Sequence, residues 1–221
     1  MSQRWIINLL PLEVLLFSAF AVAGWLAFGG AQAIVSAAPN LVAQVGVAAE
    51  VAPPATSALS PIFTPEVQYW ASRIAGWAAA FQLDPNLVAT VMQIESCGAP
   101  HAVSSSSAQS LFQVMPFHFT AGEDMQDPDT NAGRGLAYLA LGLTRAGGDA
   151  GLALAGYNGG HSQIGKDSSL WPSQTQRYWY WGTGIYADAA SGQAQSGRLQ
   201  EWLQAGGASL CARAAQELGL Q

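Results

Sequence analysis

Apolar positions fall into two regimes along this chain. From Val14 to Val35, 22 residues run without a charge, enough for about 33 Å of helix at about 1.5 Å per residue, the span of a bilayer. From Thr64 the pattern becomes periodic. Val67, Trp70, Ile74, Trp77 and Phe81 recur at spacings of three and four, which predicts one amphipathic helix entered at Thr64-Pro65. Asp84-Pro85 repeats the start signal, and Leu87, Val88, Val91 and Ile94 carry a second helix to Glu95. Further helices are predicted at Leu111–Met115, Thr130–Ala146, Gly151–Asn158 and Gln174–Ala189. Gly197–Leu220 reads as two short helices divided at Gly206-Gly207. No stretch alternates as a strand would, so the fold class is mainly α.

Between the two regimes, residues 36–63 are rich in Ala, Val, Pro and Ser and read as a linker. The expected organisation is a membrane segment (1–35), this linker, a helical domain (64–190) and a C-terminal helical extension (191–221). Arg4 precedes the apolar run, which places the domain outside the cytoplasmic membrane as a single-pass protein. Ala31-Gln32-Ala33 also fits a signal-peptide cleavage site. Both readings export the domain.

Composition narrows the function classes. Charged residues make up 10% and the net charge is −6, with Lys166 the single lysine. No basic patch exists for nucleic acid. Cys97 and Cys211 read as a disulfide in an exported protein or as two buried thiols. With His101, His118 and His161 scattered, no metal-ligand spacing appears, and no cofactor is expected.

The candidate chemistry sits in Glu95–Pro116, ESCGAPHAVSSSSAQSLFQVMP. A lone carboxylate ends an apolar helix and a serine-rich loop follows, a setting that raises a carboxyl pKa toward general-acid duty. The segment resembles the first motif of the soluble-type (SLT) lytic transglycosylases, relatives of goose-type lysozyme, at Glu95, Ser96, Pro100, Ala102, Ser104, Ala108, Leu111, Gln113, Met115 and Pro116. Asp127–Leu139 (DPDTNAGRGLAYL) and Gly156–Gly160 (GYNGG) are similar to two further motifs of that family.

The resemblance implies a lysozyme-like fold and cleavage of peptidoglycan between N-acetylmuramic acid and N-acetylglucosamine, closing a 1,6-anhydro ring. It implies Glu95 as the one acid and base, with Ser104, Gln113, Met115, Tyr157, Asn158 and Tyr178 about the substrate and the Tyr157 hydroxyl reaching the glutamate. Most of the aromatic cluster Trp171 and Tyr178–Trp181 is expected in the core. Ser107 and Ser110 stand where the family has glycines, and Cys97-Gly98 where it has a small residue and an aromatic. Those departures keep a second reading open: a non-catalytic lysozyme-like domain serving as a glycan-binding or structural subunit of a membrane complex.

Overall fold

A computed structural model describes residues 59–220. The apolar run 14–35 and the linker up to residue 58 lie outside the described residues. Among the described residues, no helix is long and apolar enough to cross a membrane.

The described chain is helical: α1 (Pro65–Gln68), α2 (Ala71–Phe81), α3 (Pro85–Glu95), α4 (Pro128–Arg145), α5 (Ala150–Gly159), α6 (Ser173–Ala190), α7 (Gly197–Trp202) and α8 (Ala208–Leu218). Aspartates start three of them. Asp84, Asp127 and Asp149 accept from the backbone N–H of Asn86, Thr130 and Leu152 at 2.7, 2.8 and 2.9 Å. Each thereby satisfies a donor that the first helical turn leaves free.

α3 is the axis of the domain. Every residue from Asn86 to Gln93 is buried, so its polar side chains need internal partners. They have them. Asn86 Oδ1 accepts from Ser60 N at 2.9 Å, Thr90 Oγ1 donates to the Asn86 carbonyl at 2.7 Å, and Gln93 Oε1 accepts from Thr64 N at 3.2 Å. α6 packs along α3, and α5 is held between α4 and α6.

Two expectations are corrected. The helix expected from Thr64 to Phe81 breaks at Tyr69-Trp70, and Thr64 places no side-chain cap on α1. Its hydroxyl lies instead 3.2 Å from Gln93 Oε1. At the break, the Trp70 indole N–H donates to the Gly98 carbonyl at 2.9 Å. Leu111–Met115 is not a helix either. Gln109 and Val114 exchange both backbone hydrogen bonds at 3.0 Å, and Ser110 and Gln113 take left-handed φ values of 63° and 46°. The result is a tight paired turn that buries Leu111 and Phe112 completely. Only the expected C-terminal division falls at a single residue: the chain kinks at Gly206, φ 124°.

Candidate active site

Glu95 is the last residue of α3. The low-dielectric packing of that helix and its C-terminal dipole both disfavour a negative charge there. Glu95 keeps some surface along a cavity, but its carboxyl group is tightly surrounded, and burial raises its pKa from 4.5 to about 8. The Tyr178 hydroxyl of α6 opposes that rise by favouring the ionised form. Tyr178 Oη is buried and makes no hydrogen bond of standard geometry. Burial beside Glu95 raises the pKa values of Tyr157 and Tyr178 well above 10, so both hydroxyls stay protonated.

The loop after Glu95 is built by its own serines. Ser96 Oγ donates to the Leu111 carbonyl at 2.7 Å and accepts from Gly98 N at 3.0 Å. Ser104 Oγ accepts from Ala108 N at 2.9 Å. Ser110 Oγ donates to the Pro100 carbonyl at 2.6 Å. Ser107 and Ser110 adopt φ of 68° and 63°, the left-handed region that glycine enters without a Cβ penalty. The loop therefore holds a glycine-type backbone with serines in it.

The other departure has a packing explanation. Gly98 sits at φ +85°, and a Cβ there would lie 2.8 Å from the Glu66 carbonyl oxygen and 3.1 Å from the Trp70 indole. Trp70 thus packs on Gly98 from the α1–α2 bend. Cys97, next to it, forms a disulfide with Cys211 of α8, with their Cα atoms 5.0 Å apart.

Glu95, Ser104 and Gln113 line one open cavity of about 430 Å³. Gln113 is braced by donating to the Ser110 and Ala102 carbonyls at 2.9 and 3.2 Å. The remaining residues named from the sequence lie outside that cavity's lining. The Tyr157 hydroxyl donates to the Phe112 carbonyl at 2.7 Å, fixing the turn behind the site. Asn158 Oδ1 accepts from Thr175 Oγ1 at 3.1 Å and joins α5 to α6. Met115 is half-buried at the entry to a single 3₁₀ turn, Pro116–His118. Of the aromatic cluster, Trp171 and Tyr178 are buried, while Trp179 and Tyr180 are exposed on α6.

Three features escaped the sequence reading. Asn131, fully buried, accepts from Phe112 N at 2.9 Å and donates to the Gln109 and Met125 carbonyls at 2.9 and 3.1 Å. It therefore holds the 109–114 turn from α4. Its signal was present as the asparagine of DPDTN. Gly135 on the same helix admits that turn: a Cβ there would stand 2.8 Å from Phe112 Cβ and 3.0 Å from Tyr157 Oη. Finally, Leu210, Arg213 and Glu217 of α8 line the Glu95 cavity, a contact whose signal in the sequence was the expected pairing of Cys97 with Cys211.

Residues 72–179 match the family described as Transglycosylase SLT domain. The chain is 37% identical over 116 residues to a protein named Transglycosylase from Enterobacteria phage PRD1, covering 51% of this chain and 40% of that protein. It is 30% identical over 102 residues to an endo-type membrane-bound lytic murein transglycosylase A of Klebsiella pneumoniae, covering 37% of this chain and 49% of the relative. The chain thus spans less than half the length of these relatives. The solved structure of an inactive mutant of lytic transglycosylase Slt from Pseudomonas aeruginosa aligns with a TM-score of 0.41 at 20% identity, covering 68% of this chain and 25% of that one. The SLT match includes Glu95, the serine loop, Asn131 and Tyr178; it excludes α1, α7 and α8.

Proposed function

We propose that the chain is a peptidoglycan lytic transglycosylase held at the extracytoplasmic face of the membrane through residues 14–35. The observation that carries this reading is Glu95: a carboxyl with its pKa pushed up to about 8, facing a cavity from a segment that matches the SLT domain family. At neutral pH that group holds a proton. It protonates the glycosidic oxygen between N-acetylmuramic acid and N-acetylglucosamine as the bond to the muramyl C1 breaks. The carboxylate left behind then takes the proton of the muramyl C6 hydroxyl, whose oxygen bonds to C1. Glu95 ends protonated, the glycan ends in a 1,6-anhydro ring, and no water is consumed. Tyr178, buried and protonated beside it, stabilises the carboxylate between the two steps.

The positive φ values of Ser107 and Ser110 support catalysis over the scaffold reading, because the loop keeps the backbone shape that glycines would give it. Membrane attachment is supported by the apolar run and by the relative named as membrane-bound. Glu217 supplies the one observation for a hydrolytic variant, since it is a second carboxylate on the cavity wall and ordinary glycosidases use two. It is exposed and accepts from His101 N at 3.1 Å, which leaves Glu95 the sole desolvated acid there. Mass spectrometry of peptidoglycan digested by the purified protein separates the two: anhydro ends are expected, and reducing ends would assign hydrolysis.

A further inference from the structure

The Glu95 cavity has a wall that the SLT match does not account for. Leu210, Arg213 and Glu217, one turn apart along α8, face the same space as Glu95, Ser104 and Gln113. Two links hold α8 there: the Cys97–Cys211 disulfide, which starts two residues after Glu95, and the bond from His101 N to Glu217. The helix is thereby fixed to the very loop that carries the cleft.

Arg213 is the only lysine or arginine on that lining. Among the described residues it has no carboxylate within salt-bridge distance and makes no side-chain hydrogen bond of its own. Glu217, its neighbour at i+4, is engaged with His101 instead. A guanidinium is a planar fork matched to carboxylates, and in a chain of net charge −6 an unpaired one in the cleft marks where an anionic substrate group can rest.

We infer that α8 is a substrate-binding wall of the Glu95 cavity, and that Arg213 recognises a carboxylate of the stem peptide on a peptide-bearing glycan strand. This rests on the peptidoglycan reading above and adds a specificity to it: intact, peptide-substituted strands are preferred over strands stripped of their peptides.

The test uses the full chain and two substrates, peptidoglycan with its stem peptides and the same glycan after amidase removal of the peptides. On the peptide-bearing substrate, Arg213→Gln is expected to raise KM about tenfold with kcat unchanged, the size of one charge-assisted hydrogen bond. Arg213→Lys should recover part of that loss by restoring the charge. On stripped glycan, wild type and both variants should be equal. An Arg213→Gln protein unchanged on both substrates, or impaired equally on both, overturns the assignment, the second result making α8 merely structural. A folded wild type that releases product from neither substrate defeats the peptidoglycan reading itself, and the role of Arg213 falls with it.

Discussion

At the residue scale, the two serines in glycine positions differ in what their side chains contribute. Ser107 is exposed and only its backbone is in use, so its left-handed φ is an uncompensated cost. Ser110 is buried and its hydroxyl satisfies the Pro100 carbonyl. Ser107→Gly is expected to stabilise the domain by about 0.5–1 kcal/mol, as relief of strain exceeds the added freedom of the unfolded chain. Ser110→Ala should destabilise by about 1–3 kcal/mol, leaving a buried acceptor unpaired. Urea unfolding of both variants checks the opposite signs. Glu95 yields a second expectation. Its folded pKa of about 8 lies above the value of 4.5 it has when solvated. Between those values the native state keeps a proton that the unfolded chain has lost, so stability falls as pH rises from 4.5 to about 8. Glu95→Gln removes that dependence, so its stability relative to wild type should rise with pH across this window. Activity should fall as Glu95 loses its proton above pH 8. Tyr178→Phe removes a group that favours the carboxylate, so it should move that alkaline limb upward.

At the element scale, the helices with sharp boundaries were the legible ones. α3 announces itself through Asp84-Pro85, whereas the expected starts Thr130 and Gly151 fall just inside the helices that Asp127 and Asp149 cap. The 109–114 turn was misread because Leu111, Phe112 and Val114 look like a helical face, whereas their partners are remote: Asn131 of α4 and Tyr157 of α5 satisfy the turn's backbone. Glu95, Ser104 and Gln113 could be placed together from one contiguous segment. The positions of Tyr157 and Tyr178 depended on how α5 and α6 pack, which periodicity does not encode. The role of α8 in the cleft depends on a bridge across 114 residues of sequence. Replacing Cys97 and Cys211 together by alanine should cost about 2–5 kcal/mol, the usual range for such a bridge. Comparing thermal unfolding of the double variant with the oxidised protein measures it, and an unchanged midpoint would show that α8 is held by packing alone.

At the scale of the whole molecule, a buried helix ends in one desolvated acid, and the elements around it divide the labour. α4 and α5 fix the 109–114 turn, α6 brings a protonated tyrosine, and α8 is pinned along the cavity by the disulfide. The central claim is that this single acid performs both proton transfers. Glutamine in its place keeps the shape and removes the titratable proton, and loss of a general acid or base costs about 10²–10⁴-fold in rate. The most direct measurement is release of 1,6-anhydromuropeptides from purified peptidoglycan by wild type and by Glu95→Gln, quantified by mass spectrometry on samples shown to be folded by their thermal unfolding. Wild type should release them and Glu95→Gln should fall by at least about a hundredfold. A folded Glu95→Gln protein that releases them at the wild-type rate would contradict the account.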